Sequence, residues 1–280
     1  MSQQLSFFDQ PRPAPAIAVP FGRSLIYEPK GRAREYAALA CNVYRGCDHG
    51  CVYCYAPDAT QQSREQFAAS ALRRGDFLNN LSREAAAAQA AGVTHRILLS
   101  FTCDPYQHLD EQEGITRRVI QSLRDHGLCA QVLTKGGSRA MRDLDLFTAR
   151  DAFASTLTFL DDARSREWEP HAALPGDRLA TLREFHQAGI PTWVSLEPVL
   201  DPDMALEIIR VANTFVDVFK VGKLNHHPLE ARIDWRDFGR SAITLLTSLG
   251  YRRSTDPDAV NSGRPGEKTF YVKKDLALYL

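Results

Sequence analysis

Residues 95–135 read HRILLSFTCDPYQHLDEQEGITRRVIQSLRDHGLCAQVLTK. The run around Ile97, Leu98 and Leu99 is continuously apolar, the signature of a strand covered on both faces. A helical pattern follows: Ile115, Val119, Ile120 and Leu123 recur on one face, and Gly127 ends it. CAQVLTK at 129–135 is strand-like again. Two buried strands joined by one amphipathic helix define a parallel βαβ unit.

The same alternation runs outward in both directions. Downstream, SRAMRDLDLFTAR (138–150) reads as helix and DAFASTLTFL (151–160) as strand. GDRLATLREFHQAG (176–189) is a helix with a closing glycine, and IPTWVSLEPVL (190–200) a strand. DPDMALEIIRVAN (201–213) is a helix with proline near its start, FVDVFKVGKL (215–224) a strand, and DWRDFGRSAITLLTSLG (234–250) a helix. Upstream, YAALACNVY (36–44) supplies a first strand. Residues 63–92 are helix-rich, with Gly75 as a break and Gly92 as a stop. Six units are fewer than the eight that close a full barrel. The fold class expected is therefore α/β, an open, partial (β/α)6 barrel over 35–250, with a doubly wound sheet as the alternative. A Pro/Ala-rich N-terminal arm, partly mobile, is expected over 1–34. A C-terminal extension over 251–280, carrying the strand-like KTFYVKK, is expected to pack on the barrel edge.

Bulk properties narrow the function. Lysine plus arginine number 34 and aspartate plus glutamate 34, so the formal charge is zero. The strongly basic balance that favours nucleic acid is absent. No apolar run reaches the length of a membrane span, and the first residues lack a signal peptide's basic start and apolar core. The six cysteines are Cys41, Cys47, Cys51, Cys54, Cys103 and Cys129. Without a secretion signal they favour metal or redox chemistry in a reducing cytoplasm over a disulfide framework.

Three of the six fall within CDHGCVYC at 47–54. Gly46 and Gly50 permit a wrapped loop that converges the thiols. Three thiolates leave one position open on a metal centre, and soft sulfur selects zinc or an iron–sulfur cluster. A structural zinc site with Cys41 as fourth ligand, and cysteines that are merely buried, are the competing readings.

Cys47-x3-Cys51-x2-Cys54, with Tyr53 before the last cysteine, resembles the cluster motif of the radical S-adenosylmethionine (SAM) superfamily. CNVYRGCDHGCVYCYA (41–56), TCDPYQ (102–107) and LTK (133–135) resemble its spore photoproduct lyase-like branch, and the likeness covers roughly 35–230. The resemblance implies a partial barrel of radical SAM type with a [4Fe-4S] cluster on Cys47, Cys51 and Cys54 and SAM on the open iron. It implies cleavage to a 5′-deoxyadenosyl radical that abstracts a hydrogen atom. It also implies an external one-electron reductant such as flavodoxin or ferredoxin, and a nucleic acid photolesion as candidate substrate. A radical SAM enzyme acting on a protein, RNA or small metabolite is one alternative; a non-enzymatic, zinc-stapled binding protein is another.

Other site candidates fall at strand ends, where this architecture places its ligands. The resemblance suggests Cys103 as the thiol that returns a hydrogen atom to the product radical. Asp104 suits the SAM amino group, with a cap on the turn before Pro105 as its bland reading. Lys135 suits the SAM carboxylate, against a solvated lysine. Ser155, with Thr156, suits the ribose, against ordinary strand residues. Glu197, in an apolar run, needs a partner or a ligand, either SAM or substrate. Lys220 and Lys223 reach for phosphate or are solvated. The His226–His227 pair lacks further ligands for a second metal. Cys41 is expected to line the barrel interior and Cys129 to sit in the core. Tyr44, Arg45, Tyr53 and Tyr55 offer base stacking or, the plainer reading, cover for the cluster.

Overall fold

Strands in this chain are written as apolar runs because both of their faces are covered. The computed structural model describes residues 25–69, 71–73, 75–225 and 227–280. Most of the arm and His226 lie outside the described residues. The first strands are β1 (Ile26–Tyr27), β2 (Leu39–Cys41), β3 (Tyr44–Arg45) and β4 (Leu72–Arg73). Then come β5 (Ile97–Leu99), β6 (Ala130–Thr134), β7 (Ala152–Thr156), β8 (Thr192–Leu196) and β9 (Val218–Val221), followed by β10 (Arg252–Ser254) and β11 (Thr269–Val272).

β2, β5, β6, β7, β8 and β9 lie side by side, all parallel. Among these six strands no step reverses direction, whereas a doubly wound sheet reverses once. This is the partial (β/α)6 barrel, and the doubly wound alternative falls. The C-terminal segment does more than pack on the edge. β11 pairs parallel to β9 and β10 to β11, so the sheet gains two strands there, while β1 adds antiparallel to β2.

Side chains alternate across the sheet. Leu39, Ile97, Val132, Phe153, Val194, Phe219 and Phe270 pack with helix residues such as Val119, Leu123, Phe185 and Ile209 in one core. Those residues come from the helices Ile115–Asp125, Pro175–Gln187 and Pro202–Ala212. The other face forms a second core inside the barrel, with Ala40, Leu98, Ala154, Trp193, Val218 and Tyr271.

Two local expectations change. Residues 138–150 read as a helix of ordinary pitch, but Gly137–Leu146 is a 3-10 helix. Its buried positions, Gly137, Ala140, Asp143 and Leu146, recur every three residues, the repeat at which 3-10 side chains eclipse. The helix-rich reading of 63–92 is interrupted by β4, which pairs with β3 beside the cysteine loop.

Candidate active site

A cavity of about 380 Å³ opens at the C-terminal ends of the parallel strands. Cys47, Cys51 and Cys54 line one wall. Cys103 and Asp104 enter after β5, Lys135 after β6, Thr156 from β7, Ser195 and Glu197 from β8, and Lys273 after β11.

The cysteine loop wraps as its glycines predict. Gly46 and Gly50 adopt φ of +69° and +66°, where a side chain would be strained. The Cys54 N–H donates to Cys51 O at 3.1 Å, and Val52 N–H to Trp168 O at 2.9 Å. Asp48 N–H donates to Gln107 Oε1 at 2.9 Å, while the Asp48 carboxylate accepts from the backbone N–H groups of His108 and Leu109. Burial pushes the Cys47 thiol up, and Cys51 to about 12. Thiols held this way ionise only if a cation compensates the charge. Among the described residues no three His, Cys, Asp or Glu side chains form a set that could hold a single metal ion. Cys41 does not line the barrel interior as expected. The alternation along β2 turns it into the core beneath the helices, away from the cavity.

Asp104 is held from several sides. Its Oδ1 accepts from Tyr106 N–H at 2.9 Å and Thr134 Oγ1–H at 2.5 Å, and its Oδ2 from Lys135 N–H at 2.7 Å. His49 Nδ1 lies 3.5 Å from the same Oδ2. Burial alone would raise this carboxyl; His49 and the three donors hold it below its ordinary value. A carboxylate has about four lone-pair sites, so most of its capacity is already engaged by the protein. Sequence placed Asp104 in the site but missed this bracing role.

On the flank of the loop, Tyr53 Oη–H donates to Glu169, which also accepts from Arg178 Nη2 at 2.6 Å. The Lys135 ammonium lies 5.6 Å from the Tyr53 ring centre, and among the described residues it makes no ion pair. Burial would lower its pKa, but Cys51 and Glu169 outweigh that and raise it, so the cation persists.

Across the cavity, Tyr36 Oη–H donates to Glu197 Oε2 at 2.5 Å and lies 3.0 Å from Ser195 Oγ. Lys273 pairs with the same carboxylate, and Asn225 Nδ2 reaches its other oxygen, Oε1, at 3.5 Å. A Cβ on Gly222 would sit 2.7 Å from Oε1, so glycine there lets the carboxylate lie flat against the chain.

Cys103 lines the cavity, and its Sγ accepts from Tyr44 N–H at 3.3 Å. Burial pushes this thiol up to about 11, which keeps the S–H intact near neutral pH. Ser155 does not line the cavity; Thr156 does. Phe153 belongs to the core beneath the helices and Ala154 to the interior core, so Ser155 faces the helices. Its Oγ is buried without a hydrogen-bond partner among the described residues. Lys220 and Lys223 are not solvated. Lys220 is buried inside the barrel, 4.4 Å from the Trp193 ring centre, and donates to Tyr36 O at 2.9 Å. Lys223 lines the cavity and pairs with Glu230. His227 accepts from Leu229 N–H at 3.2 Å. Cys129 is buried in the core of the protein. Tyr36, His49, Ser195 and Lys273 were missed. Only Lys273, at the end of the strand-like KTFYVKK, carried a local signal.

No family model matches the chain. An uncharacterized protein of Mycobacterium tuberculosis is 28% identical over 168 residues, 57% of this chain and 48% of its own length. An uncharacterized protein of Methanocaldococcus jannaschii is 23% identical over 170 residues, 60% of this chain and 62% of its own. The chain thus spans about half to three fifths of the curated relatives it matches. Among solved structures, spore photoproduct lyase complexed with dinucleoside spore photoproduct superposes with a TM-score of 0.64 at 14% identity, over 90% of this chain and 80% of that one. Streptococcus suis SuiB bound to S-adenosylmethionine superposes with a TM-score of 0.56 at 14% identity, over 75% of this chain and 47% of that one. The fold is that of radical SAM proteins of the spore photoproduct lyase-like kind.

Proposed function

We propose that this protein is a radical SAM enzyme. The observation that carries the reading is that three cysteine thiols, a half-buried ammonium with no ion-pair partner among the described residues and a polar carboxylate wall share one cavity at the strand ends. The thiols fit a [4Fe-4S] cluster better than a closed zinc site. A structural zinc closes its shell with a fourth protein ligand, and Cys41, the candidate for that place, lies in the core beneath the helices and not in the cavity. When bound, the cluster and SAM supply one-electron cleavage of the sulfonium C–S bond, giving methionine and a 5′-deoxyadenosyl radical that takes a hydrogen atom from substrate.

The chain's own residues hold and orient. Cys47, Cys51 and Cys54 are the cluster ligands. Lys135 takes the SAM carboxylate as a point charge. Glu197 Oε1, spared by Tyr36 and Lys273, accepts from a ligand hydroxyl or amine. Thr156 replaces Ser155 as the hydroxyl offered from β7. Tyr36, Tyr53 and Phe101 line the cavity and keep water from a reactive radical. Cys103 is the thiol that returns a hydrogen atom: its S–H bond breaks as a C–H bond forms on the product radical, and the thiyl radical left on Sγ is restored to the thiol by one electron from a small one-electron carrier and one proton. The electron comes from a small one-electron carrier such as flavodoxin or ferredoxin, in a reducing cytoplasm. Among the described residues no helix is long and apolar enough to cross a membrane.

The proposed substrate is a nucleic acid lesion, following the superposed lyase complex. A peptide is the alternative, because SuiB bound to its precursor peptide SuiA also superposes, at a TM-score of 0.56. Binding to lesion-bearing DNA that weakens steeply with salt favours the first; salt-insensitive or absent binding favours the second. The reaction class is tested by reducing the anaerobically reconstituted protein with SAM present and measuring 5′-deoxyadenosine. Wild type forms it and Cys51→Ala does not. Product surviving that substitution, or zinc in place of iron and sulfide, overturns the reading.

A further inference from the structure

His49 sits between two of the cysteine ligands yet is only 2% exposed. Its Nε2 lies 2.9 Å from Arg139 Nη2. Arginine has no acceptor, so Nε2 must accept and the ring proton sits on Nδ1. Nδ1 faces Asp104 Oδ2. Arg139 is itself fixed, because its Nε donates to Tyr106 O at 2.7 Å. The His49 carbonyl accepts from His171 N–H at 3.2 Å, which ties the loop to a third segment. Asp104 meanwhile holds the backbone N–H of Lys135.

We propose that His49 is a positioning residue: the chain Arg139–His49–Asp104 fastens the cysteine loop to the carboxylate that fixes Lys135, and so sets the spacing between the cluster ligands and the ammonium that receives SAM. The inference rests on the radical SAM reading. It assigns Asp104 a bracing role in place of the SAM-amino contact expected from sequence. The logic is that of groups which orient metal ligands from behind, whose loss typically costs ~10–100-fold in metal affinity or activity. The Nδ1 donor is what this geometry turns toward the carboxylate, 3.5 Å away. A side chain that only fills space restores the packing and leaves the carboxylate untied.

The test uses the anaerobically reconstituted full chain with His49→Leu, His49→Asn and Arg139→Met. Three quantities are read: iron release to a chelator, SAM affinity from the SAM-induced change in the EPR spectrum of the reduced protein, and the far-UV circular dichroism. His49→Leu is expected to release iron and to bind SAM ~10–100-fold less well, with unchanged circular dichroism. His49→Asn keeps an N–H donor near the Nδ1 position and is expected to recover part of both. Arg139→Met leaves the histidine in place but frees its tautomer, and is expected to show a smaller loss; it serves as the readout if His49→Leu fails to fold. Iron retention and SAM affinity equal to wild type in His49→Leu, or an asparagine variant no better than leucine, overturn the proposal. Wild-type protein that takes up no iron overturns the radical SAM reading and this inference together, so the two failures are distinguishable.

Discussion

Two tyrosines donate to two glutamates on opposite walls of the cavity, and each glutamate also meets a cation. Tyr53 meets Glu169 and Arg178; Tyr36 meets Glu197 and Lys273. In the first trio Glu169 and Arg178 are sealed behind Tyr53, with side-chain exposure of 0% and 1%. Arg178 also donates to the carbonyls of Ala173 and Thr156, so its donors are spent on the scaffold. The second trio faces the cavity, with 17% exposure for Glu197, and among the described residues its Oε1 meets only a distant amide. A tyrosine, a glutamate and a cation, arginine in one trio and lysine in the other, thus serve as a clamp in one place and as a receptor in the other. Accessibility and spare lone pairs decide which, rather than residue type.

Breaking the sealed trio should have the largest effect. Arg178→Met leaves a buried carboxylate unpaired, and the stability loss is expected at about 3–5 kcal/mol, read from the denaturant midpoint. Lys273→Met in the open trio should cost only about 1–3 kcal/mol, because the Glu197 carboxylate it leaves reaches the cavity whereas Glu169 does not. Equal losses would dissolve the distinction between clamp and receptor.

Glu197→Gln removes charge where a ligand is received. Its kcat/KM for 5′-deoxyadenosine formation should fall ~10–100-fold, the equivalent of one charged hydrogen bond, with a stability loss comparable to that of Lys273→Met, since both break the same ion pair. Full activity in this variant would place the receptor elsewhere. Gly222→Ala sharpens the same point, since its methyl would press on Glu197 Oε1 at 2.7 Å. The expected cost is about 1–3 kcal/mol of overpacking, and SAM affinity should fall with it.

The smallest effect is acid-side stability. Burial would raise the Glu169 carboxyl, but Arg178, Lys135 and the Tyr53 hydroxyl hold it below its ordinary value. A depressed folded pKa means that the unfolded chain takes up its proton first as pH falls. The contribution is therefore fully present above the unfolded value of about 4.3 and is lost as pH drops through the folded value. The stability gap between wild type and Arg178→Met should narrow over that acid range. A gap that is constant with pH would show that the ion pair is not its source.

The strand–helix alternation was legible because parallel strands covered on both faces are written as apolar runs. That same continuity hid which face each residue takes. AFAST at 152–156 has no polar alternation, and slipping the register by one exchanges Ser155 for Thr156. β10, the edge strand Arg-Arg-Ser, is too polar to be read as a strand. The cysteine trio was legible because its spacing is local. The groups that position it were not, because their partners are remote in sequence. Tyr36 is 161 residues from Glu197, Lys273 is 76 from Glu197, and His49 is 90 from Arg139. Pairs of that kind leave no pattern in a single chain, and only the folded, curved sheet brings them together.

The central claim is that three sulfurs hold a cluster whose fourth corner is left for SAM. It is tested most directly by the EPR spectrum of the anaerobically reconstituted, reduced protein, recorded with and without SAM. The reduced protein should give an iron–sulfur signal that changes shape when SAM is added and is absent from Cys51→Ala. A signal indifferent to SAM, or protein that carries zinc and no iron, would contradict it.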